Sequence, residues 1–460
     1  MLAAAVALFL AAVAGTEVAR RATAPAGPAA SNNAMALDFI AFYTGGSMVA
    51  EGRGRDLFDL KAVKRFQDDI AARHGVALGD ALGPWWNPPF YAWVFAPLSR
   101  LPFGTATAVW VGLNAACAAA ACWLLARTLP AAAGADNAEC ERVTSGGWRT
   151  RALVPVFVGL SVPFIHALSH GQNACTSLLI LTLTILAWRA ERPVLAGMVA
   201  GLMAYKPQHA VVLGVVLALS VGWRAVLGLS VTGAALLLVT VVTLPGSLGD
   251  FLHQMPANVR FVQERCVYMW ERHATAKAFW RMLLQGRAIG PASDLVNLLT
   301  AASAAGVGLL LLRLTPAARL LNPFDHADRS SPEHRDRLIA ATVLATPLLM
   351  PFYFDYDLLL LAVPAVLLAG LKLRHGRMTD SSACDRMIRV VGPALYAWLL
   401  LNADVGERTR VNLAVPLLAV LATAVALPRR REEAAAQEAL TDETAGEPQI
   451  VQRAPMSRAA

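Results

Sequence analysis

A single carboxylate, Asp38, lies in the apolar and aromatic stretch ALDFIAFYTGG (residues 36–46). An acid beside lipid is costly to desolvate unless it is paired, so such acids are candidates for function. Two roles for Asp38 stay open at this point. It could act as a general base, or it could cap a helix that starts in this stretch, which would stabilise that helix by about 1 kcal/mol.

Other polar groups stand where one apolar segment gives way to the next. They lie in SHGQN (169–173), YKPQ (205–208), YMWERHATAKAFWRML (268–283) and FYFDYD (352–357). Pro207 breaks the helix beside Lys206, and an ammonium group at that depth needs an anion, either an internal carboxylate or a lipid phosphate. His170 in its turn could be purely structural, and Asp355 could cap the helix that follows it.

The elements that carry these groups are predicted to be membrane helices. The chain has 460 residues, of which 56% are hydrophobic and 16% charged, against roughly 25% charged in soluble proteins. Long apolar runs cover 104–126, 225–244, 295–312, 338–354, 357–371 and 411–427. Since a backbone in lipid must satisfy its own hydrogen bonds, we expect an all-α integral membrane bundle with roughly ten to twelve transmembrane or re-entrant helices.

Arginine-rich loops predict the orientation of these helices. They cover 127–151, 188–193, 222–225, 313–337, 372–377 and 428–431. The positive-inside rule places them in the cytoplasm, and it accounts for the net charge of +8 without a nucleic-acid partner. The first loop, 16–87, and the large loop 245–290 then lie outside the cytoplasm, together with the candidate polar groups.

Several segments depart from simple crossings. The start, MLAAAVALFLAAVAG, could be a signal peptide, but we expect an uncleaved span. Residues 59–75 predict an amphipathic helix on the outer surface, and four prolines should break 85–103 into short re-entrant or interfacial pieces. We expect a membrane-embedded domain over 1–431 and a disordered cytoplasmic tail over 432–460.

The ordered set of motifs resembles the multi-pass glycosyltransferases of the GT-C superfamily, and glycosyltransferase family 87 most closely. That family includes a polyprenol-phosphate-mannose-dependent α-mannosyltransferase. The matching stretches are LDFIAFYTGGSMVAEGRGRDLFD, WWNPPFYAWVFAPLSRLPFGTATAVW, SHGQNACTSLLIL, RPVLAGMVAGLMAYKPQHAVVL, MWERHATAKAFWRMLL and MPFYFDYDLLLLAVP. They extend from about residue 36 to 365.

The resemblance implies an inverting transfer of a hexose, with mannose as the first guess, from a polyprenyl-phosphate donor to a lipid or glycan acceptor outside the cytoplasm. It places the general base at Asp38. With this reaction in view, we assign the donor phosphate to Lys206 and Arg281 and the substrates to His170, Gln172, Asn173 and Asp357. Asp357 could instead orient Lys206. The implied location is the plasma (inner) membrane.

A transporter or flippase for lipid-linked sugars is the alternative, because intramembrane acids and broken helices also build carriers. Carriers often contain two matching halves, and no internal repeat is apparent here. We expect no cofactor. Some GT-C enzymes use a divalent metal, for which Asp38, Asp355 and Asp357 would be the candidate ligands.

Overall fold

The computed structural model describes residues 38–73, 78–79, 81–129, 140–315, 331–375 and 383–427. Within these ranges the chain forms seventeen α-helices and no sheet, apart from one isolated bridge between His273 and Phe354. The predicted all-α class is therefore confirmed. The N-terminal apolar run and the 432–460 tail lie outside the described residues.

The first half of the chain forms nine α-helices in the described residues. They are α1 (Phe39–Ala50), α2 (Leu60–Arg73), α3 (Phe103–Ala126), α4 (Cys140–Gly159), α5 (Val162–His170), α6 (Ala174–Arg189), α7 (Pro193–Gly201), α8 (Pro207–Val221) and α9 (Trp223–Thr243).

The helices of the second half complete the bundle. They are α10 (Ser247–Arg265), α11 (Ala276–Gln285), α12 (Asp294–Leu314), α13 (Pro332–Leu349), α14 (Ala362–His375), α15 (Ala383–Trp398), α16 (Asn402–Thr409) and α17 (Ala414–Ala426). A 3-10 helix, Asp355–Leu361, leads directly into α14.

Four helical segments are long and apolar enough to cross a membrane: α3, α9, α12 and Asp355–Arg374. Two bent pairs, Thr150–Gly159 with α5 and α15 with α16, raise the possible number to six. The remaining apolar helices are shorter, as expected for broken or partial crossings. The chain is therefore a multi-pass membrane protein.

Two predicted spans have different bounds in the structure. The helix expected over 338–354 begins at Pro332, where the Ser331 hydroxyl caps its first turn, and it ends at Leu349. The apolar pattern hid this start because the first turns carry charged side chains that are nonetheless buried. The span expected over 411–427 is the 13-residue α17, about 20 Å long at 1.5 Å per residue, which is shorter than a full crossing.

The break at Lys206 is confirmed. Helix α7 continues through a 3-10 turn, Leu202–Tyr205, and α8 restarts at Pro207. Helix α7 packs directly on α9, because a Cβ atom at Gly197 would lie 2.0 Å from the carbonyl oxygen of Ala225. Gly197 faces Ala225 and Gly201 faces Thr232, so the two helices run parallel. This contact fixes the position of Lys206 along the bundle axis.

The first loop forms a compact aromatic layer that holds α1 in place. The prolines break 85–103 into the 3-10 helices Pro89–Val94 and Leu98–Arg100, as predicted. The rings of Phe42 and Phe95 stack at 4.8 Å between centroids, against Trp110 of α3. Helix α2 is amphipathic, as predicted, and buries Phe66 among its apolar residues.

Candidate active site

Asp38 stands at the start of α1, but its side chain does not cap the helix. Its carboxylate Oδ2 instead accepts a hydrogen bond of 2.8 Å from the Gln172 Nε2 amide. Its backbone N–H donates to the His170 carbonyl oxygen at 3.1 Å. The half-buried carboxylate therefore faces the turn between α5 and α6, and the capping alternative does not describe its side chain.

The turn that meets Asp38 depends on one glycine. Gly171 has a φ of 70°, a left-handed conformation that favours glycine, and its carbonyl accepts a hydrogen bond of 2.7 Å from the buried Trp110 indole. The Gln172 N–H donates to the Ala167 carbonyl at 2.8 Å. These bonds fix the direction in which the Gln172 amide points.

The predicted substrate residue Asn173 is fully buried in the same turn. Its amide donates to the Tyr91 hydroxyl at 3.1 Å. The Tyr91 ring stacks on Tyr205 with 4.4 Å between centroids. Asn173 thus connects the turn to the residue that precedes Lys206.

An ion pair that was not predicted from the sequence lies beside Asp38. Arg272 donates to both carboxylate oxygens of Asp355, at 3.0 and 2.9 Å, and the His166 ring nitrogen Nδ1 lies 3.1 Å from Asp355 Oδ2. Burial acts to lower the pKa of Arg272, but the charge of Asp355 outweighs it, with Asp38 contributing, so the pKa is raised. Arg272 is therefore a permanent cation near the Asp38 carboxylate.

Arg272 also contacts His170. Its Nη1 donates to His170 Nε2 at 2.9 Å. His170 Nδ1 lies 3.1 Å from the His166 carbonyl oxygen and 3.2 Å from the Ser169 hydroxyl. The His170 ring is therefore held between Arg272 and the last turn of its own helix.

The loop that carries Arg272 is clamped from the C-terminal part of the chain. The buried Asn412 amide donates to the carbonyls of Glu271 and His273, at 3.3 and 2.7 Å, on either side of Arg272. Its own oxygen accepts a hydrogen bond of 3.0 Å from Asn402. Arg272 lies within the quoted 268–283 stretch, and the signal that could have found it was the acid-rich FYFDYD segment, which needed a basic partner.

Lys206 and Asp357 form a second buried ion pair. The ammonium Nζ lies 2.6 Å from Asp357 Oδ1, and the two side chains are 9% and 3% exposed. His209 Nε2 lies 3.8 Å from the other carboxylate oxygen. The anion beside Lys206 is thus an internal carboxylate, which was one of the two alternatives left open by the sequence.

Tyr356 links the two ion pairs. Its ring lies 5.5 Å from the Lys206 ammonium and 6.5 Å from the His170 ring, measured to the ring centroid. Asp38, His170, Gln172, Arg272 and Asp355 therefore adjoin Lys206 and Asp357 through one aromatic residue.

Arg281 has different surroundings from the other predicted site residues. Its Nη2 donates to the carbonyls of Ala288 and Gly290, at 2.6 and 3.1 Å, and its guanidinium lies 5.9 Å from the Trp270 ring. The side chain is almost fully buried. The structure does not bring Arg281 into contact with the residues around Asp38, and its predicted role at a phosphate stays a prediction.

The candidate site and the arginine-rich region lie at opposite ends of the bundle. Helix α6 starts at the Asp38 turn and ends about 24 Å away at Arg189, whose Nε lies 3.3 Å from the buried Asp336. In the part of the chain that the structure describes, no group of three or more His, Cys, Asp or Glu side chains is arranged to hold a metal ion.

Comparison with known protein families identifies a match. The model of glycosyltransferase family 87 matches residues 85–328. That range includes Gln172, Lys206 and Arg272, whereas Asp38 precedes it and Asp355 follows it. No curated protein and no solved structure matches the chain.

Proposed function

This chain belongs to glycosyltransferase family 87 of the GT-C superfamily, and we propose that it transfers a hexose from a polyprenyl-phosphate donor to a lipid or glycan acceptor. Mannose is the first donor sugar to test. The reaction takes place on the face of the plasma (inner) membrane that is opposite the arginine-rich loops. The observation that carries this proposal is the half-buried Asp38 carboxylate, held by Gln172 beside Arg272.

Asp38 is the general base. It takes the proton of the acceptor hydroxyl while that oxygen attacks the anomeric carbon of the donor. The bond between this carbon and the phosphate oxygen breaks from the opposite side, its electrons leave with the polyprenyl phosphate, and the anomeric configuration inverts. Gln172 supports this role because its amide fixes one carboxylate oxygen, Oδ2. An aspartate carboxylate of ordinary pKa is ionised near neutral pH, as a general base must be.

The leaving phosphate needs cations that do not reorganise during the reaction. To Lys206 and Arg281 we add Arg272, because Asp355 holds its guanidinium through two hydrogen bonds in a fixed orientation. Asp357 orients Lys206 through one hydrogen bond. Two preorganised cations near Tyr356 suit a phosphate whose charge increases as the sugar leaves.

Sugar hydroxyls are bound at the 170–173 turn. The His170 ring and the Gln172 amide adjoin Asp38 and can contact a sugar there. For Asn173 we propose that it acts through Tyr91, because its side chain is buried against that hydroxyl.

The test is Asp38→Asn in membranes that carry the full chain. Tritiated mannose-, glucose- and arabinose-phosphopolyprenol are offered in parallel, and label in lipid or glycan products is counted. A general base contributes typically 10²- to 10⁴-fold, so we expect transfer by the variant to fall at least about 100-fold while donor binding persists. Asp56→Asn is the matched control, because Asp56 pairs with Arg53 at the surface of the same loop.

Two results would overturn the proposal. Asp38→Asn could transfer sugar at the wild-type rate, in which case Asp38 is not the base. Alternatively, the wild type could move lipid-linked sugar across vesicle membranes without labelling any acceptor. That second result would identify the protein as a transporter.

A further inference from the structure

A groove opens at the arginine-rich end of the bundle, far from the candidate site. It has a volume of about 450 Å³. It lies between the first turns of the parallel helices α7 and α9, which Gly197 and Gly228 allow into direct backbone contact. The lining includes Arg192, Val194, Leu195, Met198, Trp223 and Arg224.

The walls of this groove are apolar and exposed. Leu195, Met198 and Trp223 are each about two-fifths exposed, and neighbouring α9 side chains such as Val226 and Leu227 are exposed as well. In a membrane protein such a surface faces lipid chains. A tryptophan at the first position of α9 is typical of the boundary between the headgroups and the hydrocarbon region.

The mouth of the groove is basic. The guanidinium groups of Arg192 and Arg224 are exposed there, one from each helix start. Arg192 makes no ion pair or side-chain hydrogen bond with any residue in the described ranges, and Arg224 lies only over the adjacent Trp223 ring, at 6.0 Å. Both helices also direct the positive ends of their dipoles to this end.

We propose that this groove binds an anionic phospholipid from the leaflet at the arginine-rich end of the protein. The two guanidinium groups contact the headgroup phosphate and its negative charge, since arginine suits bidentate phosphate recognition. One acyl chain lies along the apolar wall formed by Leu195, Met198 and Trp223. Charge complementarity and the apolar wall together favour a lipid over a soluble anion. The inference is independent of the sugar-transfer reaction.

The structure provides a matched control on the same face. Arg127 follows α3 and its guanidinium lies 4.2 Å from the Trp123 ring, so it is an arginine beside an exposed tryptophan, outside the groove lining. If basic charge at the membrane surface were sufficient, Arg127→Gln would affect lipid binding as much as loss of one groove arginine.

The experiment titrates phosphatidylglycerol or phosphatidylcholine into the purified full chain in detergent and follows the first bound lipid by native mass spectrometry. We expect the wild type to prefer phosphatidylglycerol. Arg192→Gln/Arg224→Gln should weaken its binding about thirtyfold, which corresponds to about 2 kcal/mol for two basic residues. Arg192→Lys/Arg224→Lys, which keeps both charges, should retain most of the preference, and Arg127→Gln should leave the affinity unchanged.

Three outcomes would overturn the proposal: equal binding of the two lipids by the wild type, an equal loss in Arg127→Gln, or displacement of the lipid by millimolar inorganic phosphate. The last would identify the groove mouth as a site for a soluble anion. The thermal midpoint of each variant in detergent shows whether the fold is retained, and the comparison of the two lipids on the wild type tests the proposal without any variant.

Discussion

The buried pair Lys206–Asp357 gives the sharpest prediction about stability. At 2.6 Å and an effective dielectric constant of about 20, the attraction between the two charges is about 6 kcal/mol. Desolvation of both groups offsets much of this, so the pair itself adds little net stability. Removing one partner is different, because it leaves a single charge in a site where the side chains are under 10% exposed.

We therefore expect Asp357→Asn to destabilise the protein by about 3–5 kcal/mol. Lys206→Met should also destabilise the protein, because it leaves the buried Asp357 carboxylate without its cation. The double variant Lys206→Met/Asp357→Asn removes both charges, so it should be more stable than Asp357→Asn alone. Stability is measured by reversible unfolding in mixed detergent–SDS micelles.

The control for this cycle is Asp56→Asn. Its pair with Arg53 has a similar separation of 3.0 Å, but the side chains are 40% and 41% exposed, so the loss should be about 0–1 kcal/mol. A loss of stability in Asp357→Asn no larger than that in Asp56→Asn would contradict this prediction. So would a double variant whose loss equals the sum of the two single losses, because additivity would mean that the charges do not interact.

Two further predictions concern packing and pH. Gly197→Ala should destabilise the protein by about 1–3 kcal/mol in the same unfolding assay, since the new Cβ would lie 2.0 Å from the Ala225 carbonyl oxygen. Gly233→Ala on α9 is the control. It should be neutral or stabilising, because the new Cβ would have no neighbour within 4 Å. Burial lowers the pKa of His273 from 6.5 to about 3, so between these values the unfolded chain binds the extra proton and the folded chain does not. The contribution of this residue to the free energy of unfolding is complete above pH 6.5 and is lost as the pH falls towards 3. Over that range, the free energy of unfolding should vary less with pH in His273→Gln than in the wild type. In the exposed His253→Gln it should vary as in the wild type. An unchanged pH dependence of the free energy of unfolding in His273→Gln would contradict this prediction.

The sequence predicted local features well where the signal was local. The prolines in 85–103, the apolar pattern of α2 and Pro207 after Lys206 each act on their own segment, and each produced the expected element. The predicted start of α13 was wrong, because the charged side chains of its first turns are buried. Hydropathy measures a segment by itself and does not register partners from elsewhere in the chain.

The candidate site was only partly predictable for the same reason. Asp38, Gln172 and His170 were chosen one by one from their segments, and the contact between Asp38 and Gln172 spans 134 positions of sequence. Arg272 was missed because its importance comes from Asp355, which lies 83 residues later. An arginine in a loop of a basic protein gives no local signal of burial.

The contacts of Arg272 also connect the part of the chain that matches family 87 with the part that follows it. Arg272 lies within residues 85–328, which match family 87, whereas Asp355 and Asn412 follow that range. The bidentate carboxylate and the amide clamp are both needed to fix a long, flexible side chain beside Asp38, since either contact alone leaves the guanidinium or its backbone free to move. The family-matched segment therefore supplies the cation, and the C-terminal segments determine where that cation points.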